Sequence, residues 1–303
     1  MNWSSIDNIR LTYRLMRVKG YGPVQVNKFL FAHQPYIQTT EELDDYIRHT
    51  LTPGECNEYM AELPSFHNKH FRIQYMSILD SSYPQELKVY LAGKAPSVLS
   101  YIGNVELFHK RKIAFSGSRK VSEKGIWITQ DSIRQLSADK DICIVSGYAA
   151  GVDMTAHYEA LANDGSTIIV LPEGINNFAI KKELQQVWDW NRVLVISEFL
   201  PNEQWLQGRA MQRNQTIVGL SDAVVVVEAG VKGGSLDTGI KALNEEKALF
   251  VPLYAAAPES AKGNSWLLRQ GAKPLTWNKN TNRVNLSVMK TMNTLQPART
   301  LFG

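Results

Sequence analysis

Cysteine and histidine are scarce in this sequence, which limits the metal and disulfide chemistry it can support. The 303 residues include two cysteines, Cys56 and Cys143, far apart and without the spacing of a zinc site. Cys143 falls inside the apolar stretch DICIVS, so we expect a reduced core residue and no disulfide framework. The six histidines include one close pair, His67 and His70, which lacks further ligands at metal-binding spacing. We therefore expect no metal site.

Long apolar runs are also missing. No run approaches the roughly 20 residues that a helix needs to span a bilayer. The N-terminal stretch MNWSSIDNIR lacks the charged and then apolar pattern of a signal peptide. Together with the expected reduced cysteines, these absences predict a cytoplasmic protein.

Acidic residues are absent from the C-terminal end of the chain. The whole sequence carries 33 Lys and Arg against 29 Asp and Glu, a net charge of +4. Residues 276–303 contain no acidic residue, so they account for the entire excess through Lys279, Arg283, Lys290 and Arg299. Two interpretations stay open for this basic tail: a poorly ordered terminus and an arm that contacts nucleic acid.

Residues 1–75 are expected to form a small helical domain. The stretches IDNIRLTYRLMRVKG and VQVNKFLFAH show helical spacing of apolar residues, with GYGP between them. This unit is similar to a helix-hairpin-helix, although a plain αα-hairpin with a glycine turn is the interpretation we favour. Further helices are expected over residues 40–49 and 53–63. Residues 80–104, with two prolines and several turn residues, are expected to form a connector that packs partly on the next domain.

From Lys112 onwards the pattern changes to short apolar runs separated by amphipathic stretches of helical length. The runs are KIAFS (112–116), DICIVS (141–146), STIIVL (166–171), RVLVIS (192–197), AVVVVE (223–228) and ALFVP (248–252). Strands that are apolar at nearly every position are typical of a parallel sheet covered on both faces. The alternation predicts a doubly wound α/β domain of six or more strands, which we place at residues 76–275.

In such a sheet, ligands bind beyond the carboxyl ends of the strands. Glycine and serine are frequent there, in SGSRK (116–120), SGYAAGVD (146–153), PEGIN (172–176) and EAGVKGGSLDTG (228–239). Small residues let a ligand approach the backbone, and helix N-termini present free N–H groups. Loops of this kind on several strands predict an extended anion site. Gly117, Ser118, Gly147 and Gly151 are among its candidate residues.

Basic residues also follow these strands. Arg119 comes directly after the first strand, and Arg209 and Arg213 are four residues apart, a spacing that can share a helical face. An arginine at a strand end can bind a phosphate through two hydrogen bonds, so we expect this role for Arg119 and Arg213. Lys181 and Lys182 follow the third strand, where a solvated face is the slightly favoured interpretation.

Motifs of common nucleotide-binding and hydrolytic enzymes are missing. The sequence holds no G-x-x-x-x-G-K-[ST], no G-x-G-x-x-G after the first strand and no G-x-S-x-G. Asp153 and His157 could form an acid–base pair on one helix, although Asp153 could equally be a first-turn acid. Glu198 and Glu228 end two strands, but no nucleophile or metal set completes a catalytic site. We expect no cofactor and no catalysis.

The motifs taken together resemble the DNA-processing protein A family, also called DprA or Smf. The resemblance rests on SGSRKVSEKG, IVSGYAAGVDMTAHYEAL, GSTIIVLPEGI, VISEFLP, QRNQTIVGLSDAVVVVEAGVKGGSLDTGIKAL and GNSWLLRQGA, in order and covering roughly residues 78–272. It implies a Rossmann-like domain that binds single-stranded DNA, a homodimer and no catalytic activity. It also implies that the protein protects incoming DNA and hands it to the RecA recombinase, as in natural transformation.

The resemblance also assigns residues. The arginine of the family's G-S-R motif corresponds to Arg119, and the first two residues of its R-N-R element correspond to Arg213 and Asn214. The family's S-G-S-L loop corresponds to Gly234, Ser235 and Leu236, with Gly233 in place of the first serine. The chain departs from the family at Gln215, which replaces an arginine, and at Glu173, an acid where small residues are usual. The tail is too short for the winged-helix domain that many members carry.

Two points stay open. Bases could stack on an aromatic residue near these loops; the candidates are Trp127, Phe178, Trp205 and Trp266, and packing in the core is the alternative for most of them. The alternative function is a small-nucleotide site, either a nucleotide sensor or a nucleoside-phosphate hydrolase, with phage defence as one setting. The stretch KGGSLDTG lacks the proline and glutamate of the P-G-G-x-G-T-x-x-E hydrolase loop, which argues against the enzyme. A third possibility is a platform that recruits a partner protein.

Overall fold

The computed structural model describes residues 1–63, 65–66, 68, 70–278 and 280–291. For residues 290 and 291 it describes the backbone alone. The helices are α1 (Ile6–Arg17), α2 (Pro23–His33), α3 (Thr40–Thr50), α4 (Pro53–Met60), α5 (Gln85–Leu91), α6 (Glu123–Leu136), α7 (Val152–Ala162), α8 (Gln207–Leu220), α9 (Gly234–Asn244), α10 (Asn264–Arg269) and α11 (Ser287–Thr291). The strands are β1 (Gln74–Ser77), β2 (Val98–Gly103), β3 (Arg111–Ser116), β4 (Ile142–Ser146), β5 (Ser166–Val170), β6 (Val193–Ser197), β7 (Ala223–Val226), β8 (Ala248–Pro252), β9 (Lys273–Leu275), β10 (Trp277–Asn278) and β11 (Arg283–Val284). Within the described residues, none of the helices combines the length and the apolar character that a membrane span requires.

The N-terminal helices begin where the sequence offers side-chain caps. Thr39 and Glu42 form a capping box at α3, and Thr52 and Glu55 form another at α4. Between α1 and α2, Gly20 takes a φ of 92°, which a residue with a side chain rarely adopts. The predicted helices are therefore present, with the expected glycine turn between the first two.

The central sheet has nine strands in the order β1-β2-β6-β5-β4-β3-β7-β8-β9. Strands β3 to β9 run parallel, whereas β1 and β2 are antiparallel to their neighbours. All six predicted apolar runs are strands of this sheet. They are apolar at nearly every position because both of their faces are buried. The predicted doubly wound, mostly parallel α/β fold is confirmed.

Alternate residues of the strands enter two separate cores. In β3, Ile113 and Phe115 pack with residues of α6 and α7, whereas Ala114 packs with residues of α8 and α9 on the other face. Cys143 lies in this second core with no exposed surface, and burial raises the pKa of its thiol to about 12. The prediction of a reduced core cysteine is consistent with this environment.

The prediction of a connector at residues 80–104 is wrong in part: the segment packs on the α/β domain as expected, but it contains α5 and β2. Its two prolines mark element boundaries: Pro84 is the N-cap residue of α5, and Pro96 stands two residues before β2. Strand β2 pairs with β1 on one side and β6 on the other. The N-terminal helices are joined to this edge of the sheet by Asn27, whose amide donates to the Ala95 carbonyl at 2.8 Å.

The first part of the basic tail folds against α6. Strands β10 and β11 form an antiparallel hairpin, and the backbone N–H of Val284 donates to Asp131 at 2.7 Å. Val284, Leu286 and Met289 are buried. Lys279, Arg299 and the Lys290 side chain lie outside the described residues. The division of the chain at residues 75 and 275 stays a prediction.

Candidate functional site

A pocket of about 430 Å³ opens at the carboxyl ends of the central strands. It lies beyond β3, between the start of α7, the first half of α8 and the start of α9. The described residues that line it are Ser116, Gly117, Arg119, Ala149, Asp153, Trp205, Gln207, Ala210, Met211, Arg213, Asn214, Gly234 and Ser235. The sequence thus correctly predicts the edge of the sheet at which a pocket forms.

The rim of the pocket carries an exposed cation beside an aromatic ring. Arg119 is exposed, and its guanidinium carbon lies 5.8 Å from the centroid of the Trp205 ring. Trp205 keeps 45% of its surface exposed, which is high for a tryptophan. Among the described residues, no carboxylate forms an ion pair with Arg119. The rim can therefore offer a positive charge and a ring face to one ligand.

The floor of the pocket holds a second arginine, which is buried. Arg213 is only 6% exposed and donates a hydrogen bond to the Val170 carbonyl. Burial lowers the pKa of Arg213, while the nearby carboxylates of Asp153 and Glu198 oppose that shift. Burial likewise raises the pKa of Asp153, and the charge of Arg213 opposes the change. Arg213 and Asp153 are thus two buried groups of opposite charge that attract each other.

Gly147 makes room for these two charged groups. A Cβ atom at this position would overlap both the Arg213 guanidinium and the Asp153 carboxylate. Gly147 itself does not line the pocket. Its role in the structure is to let the floor residues come together, which differs from the direct ligand contact that the sequence predicted.

The first two glycine loops are packed against each other. Gly151 has a φ of 80°, and a Cβ there would overlap the carbonyl oxygen of Ser118. The Val152 N–H points to that same carbonyl at 3.4 Å. The Ser118 hydroxyl accepts from the backbone N–H of Lys120 at 3.0 Å. Of the four glycine and serine candidates in these two loops, Gly117 is the one that lines the pocket.

The glycine loop after β7 forms the opposite wall. Gly233 is the N-cap residue of α9 with a φ of 111°, and Gly234 and Ser235 line the pocket. The Asn214 side chain donates to the Gly234 carbonyl at 3.2 Å and to Asp237 at 3.1 Å, which fixes this loop to α8. Leu236, which the family motif places in the site, packs against the hydrophobic core instead.

Several basic candidates lie outside the pocket. Arg209 forms an ion pair with Glu203 at 2.7 Å, so the two arginines of α8 do not act on one site. Lys181 donates to the Tyr148 carbonyl at 2.6 Å, and Lys182 is exposed. The structure therefore brings together Arg119 and Arg213 but neither lysine.

The other aromatic and acidic candidates lie away from the pocket as well. Trp127 contacts Trp277, Phe178 is buried in an aromatic cluster, and Trp266 lies on α10. Glu173 and Gln215, the two departures from the family pattern, do not line the pocket.

The acid–base pair considered from the sequence is not formed. His157 is fully buried, with Nε2 facing the Gly147 carbonyl and Nδ1 2.7 Å from the Thr167 hydroxyl. Because a carbonyl only accepts hydrogen bonds, Nε2 carries the proton of the neutral ring. Burial lowers the pKa of His157 to about 4. His157 thus supports the floor through Gly147.

Glu198 and Glu228 are buried carboxylates satisfied by hydrogen-bond donors. Glu198 accepts from Gln212 at 2.7 Å and from Thr216. Glu228 accepts from Tyr254 at 3.0 Å, from Ser260 at 2.6 Å and from Ser122. Neither lines the pocket, so their positions give them a role in joining elements. His67 lies outside the described residues, and its pairing with His70 stays untested.

Sequence reasoning missed three residues of α8 that line the pocket: Gln207, Ala210 and Met211. Together with Asn214 they follow the spacing i, i+3, i+4 and i+7 of one helical face. Because Asn214 is a candidate from the sequence, this spacing could have identified the other three residues on the same face of the helix. Asp153 was assigned to catalysis or capping, whereas it accompanies Arg213 in the floor.

Comparisons with known proteins identify the family. A family model described as DNA recombination-mediator protein A matches residues 74–284. DNA processing protein DprA of Streptococcus pneumoniae is 38% identical over 203 residues, which cover 66% of this chain and 70% of that protein. The crystal structure of the Streptococcus pneumoniae protein matches with a TM-score of 0.70 and 27% identity, over 95% of this chain and 98% of the other.

Two further relatives agree with this match. DNA processing protein DprA of Bacillus subtilis is 28% identical over 246 residues, 80% of this chain and 81% of that protein. A structure of DNA processing protein A from Helicobacter pylori, described with its single-stranded DNA binding mode, matches with a TM-score of 0.60 and 25% identity. It covers 75% of this chain and 100% of the other. The chain belongs to the DNA recombination-mediator protein A family.

Proposed function

We propose that this protein binds single-stranded DNA in the pocket beyond β3. The observation that carries the proposal is the rim, where an exposed Arg119 lies beside a half-exposed Trp205. A guanidinium attracts the backbone phosphate, and an indole face stacks on a base. The phosphate and the base belong to the same nucleic-acid strand and lie close together along it.

The walls of the pocket add contacts of the same kind. The backbone N–H groups of Gly234 and Ser235 stand in the first turn of α9, where intrahelical acceptors are lacking. The buried charge of Arg213 acts from the floor, because an arginine stays protonated even when its pKa falls. In this mechanism the phosphate binds between Arg119 and the start of α9.

The biological role is proposed from the family. The relatives are DNA processing proteins, and the Helicobacter pylori relative binds single-stranded DNA. We propose that this chain likewise protects single strands, acts as a homodimer, and hands the DNA to the RecA recombinase without catalysing a reaction. The pocket supports a binding role, since its described ionisable groups are Arg119, Arg213 and Asp153, and Asp153 accompanies Arg213 in the floor.

A titration with four ligands tests the proposed function. Fluorescence anisotropy would follow binding of a labelled oligothymidine of 25 nucleotides and of a duplex of the same length, at two salt concentrations. We expect tighter binding of the single strand and a Kd that rises with salt, with a slope of about 0.7 per phosphate contacted. Calorimetry with a mononucleotide and a nucleoside triphosphate would complete the set. Tight mononucleotide binding without oligomer binding would favour the alternative nucleotide sensor.

A further inference from the structure

A second and larger pocket lies at the edge of the sheet, between the N-terminal helices and β1. Its volume is about 770 Å³, and it is formed by α1, residues 62, 63, 65 and 66, and the chain that enters β1. We call it the edge pocket. It shares no lining residue with the pocket beyond β3.

The edge pocket has a surplus of positive charge. Arg10 and Arg14 stand one turn apart on α1, and Arg72 stands two residues before β1. Against these three guanidinium groups, the described lining contains one carboxylate, Glu62. A cavity lined by charges of one sign concentrates ligands of the opposite sign.

The three arginines are weakly paired within the described chain. Arg10 lies 3.4 Å from Asp7, and both side chains are at least half exposed, so this ion pair contributes little. Arg14 and Arg72 have no ion-pair partner among the described residues. The Nε atom of Arg14 is buried and lacks a hydrogen-bond partner in that part of the chain, which is unusual for a buried donor.

Aromatic rings accompany the arginines. Phe66, Tyr75 and Tyr101 line the edge pocket. The Arg10 guanidinium carbon lies 5.4 Å from the Phe66 ring centroid, and the Phe66 and Tyr75 centroids are 5.7 Å apart. The combination of guanidinium groups with aromatic rings is suited to a phosphate and the base attached to it.

The edge pocket lies at the same end of the strands as the pocket beyond β3. Gln74 pairs with Tyr101, and Tyr101 pairs with Ile196, so the start of β1 is level with the carboxyl end of β6. In the sheet order, β1 is five strands from β3. At a strand spacing of about 4.8 Å, the two strands are about 24 Å apart.

We infer that the edge pocket is a second contact for the phosphate and base of a nucleotide, and that its occupant is the same single strand that enters the pocket beyond β3. This inference rests on the proposed function, because it extends the path of that strand across the molecule. At about 3.4 Å per stacked nucleotide, roughly seven nucleotides bridge the distance.

A length-dependent binding experiment tests the inference. The double variant Arg10→Gln/Arg72→Gln removes two exposed charges of the edge pocket. The control Lys28→Gln/Arg269→Gln removes two exposed charges from α2 and α10, outside both pockets. Each protein is titrated with oligothymidines of four and of 25 nucleotides, since four nucleotides are too short to fill both pockets.

We expect the edge-pocket variant to bind the 25-mer about tenfold more weakly and to lower its salt slope by about 1.4, which corresponds to two phosphate contacts. Its Kd for the tetramer stays unchanged, and the control changes neither Kd by more than about twofold. A variant with the wild-type Kd and slope for the 25-mer overturns the inference. So does an equal loss for the tetramer and the 25-mer.

Two outcomes separate this inference from neighbouring possibilities. If the wild-type protein binds no single strand, the proposed function fails. If it binds the 25-mer and the double variant binds equally well, only the inference about the edge pocket fails. Calorimetry with thymidine monophosphate tests a free nucleotide as the occupant. Mononucleotide binding that depends on Arg10 and Arg72, with an unchanged 25-mer Kd, would assign the edge pocket to free nucleotides and overturn the strand inference.

Discussion

The floor and the rim of the pocket beyond β3 both carry an arginine, but the two arginines are in opposite environments. On the floor, Arg213 is buried and sits with Asp153 in the space that Gly147 leaves. On the rim, Arg119 is exposed beside Trp205. Changing a buried charge disturbs folding, whereas changing an exposed one disturbs ligand binding. The comparison teaches that two arginines in one site can have separable roles.

The largest expected effect is on the floor. Arg213→Met should lower the free energy of unfolding by about 3 kcal/mol, because it leaves the Asp153 carboxylate buried without its cation. Urea denaturation measures this loss. Arg209→Met, in the same helix but in a partly exposed ion pair, is the matched control and should cost less than about 1 kcal/mol. Equal losses for both variants would show that burial beside Asp153 gives Arg213 no special role in folding.

Acid should also act on the floor, through His157. Its pKa falls from 6.5 to about 4 on burial, so the unfolded chain takes up the proton first as the pH drops. The stability that His157 contributes is complete above pH 6.5 and is lost as the pH falls towards 4, by up to about 3 kcal/mol. Urea denaturation across this range should show a shallower decline for His157→Gln than for the wild type. Parallel curves would contradict the assignment.

On the rim, Arg119→Ala should weaken binding without affecting folding. We expect the Kd for a 25-nucleotide oligothymidine to rise about tenfold and the salt slope to fall by about 0.7, with an unchanged unfolding midpoint. Anisotropy at several salt concentrations gives both numbers. Lys120→Ala removes the neighbouring exposed charge and is the control. An unchanged Kd for the Arg119 variant would show that the pocket is wrongly assigned.

The smallest effect is expected from Trp205→Ala. Loss of one stacking partner should raise the Kd about fivefold at constant salt slope, since the indole carries no charge. Trp266→Ala, which removes another partly exposed tryptophan on α10, should leave the Kd within about twofold. A change in slope for the Trp205 variant would mean that the ring acts by holding Arg119 in place.

The sequence was informative where burial is uniform along an element. Strands β4 to β7 are apolar at almost every position, so their places in the sequence and their parallel direction could be predicted. Strand β1 has the sequence QYMS, too short and mixed to be recognised. Strand β2 begins two residues after Pro96. This proline favoured the prediction of a connector, although it only precedes the strand.

Residue types in the site could be predicted better than residue environments. Arg209 and Arg213 share a spacing and a helix, yet one is ion-paired with Glu203 and the other is buried beside Asp153. That difference arises from Val170 and Gly147, which other segments of the chain supply. Leu236 belongs to the family motif by position, but tertiary packing turns it into the core. The sequence around each residue does not indicate which distant residues it will contact.

The antiparallel strands at the edge of the sheet also have a consequence for the order of folding. Strand β2 pairs at once with its sequence neighbour β1, whereas Ser100 of β2 finds its second partner only at Ser197. During synthesis, the antiparallel β1–β2 pair therefore leaves the ribosome before β6 is made. An unpaired edge of this kind is a site where another chain can add a strand. The free edge of β2 thus stays open to another chain until β6 arrives.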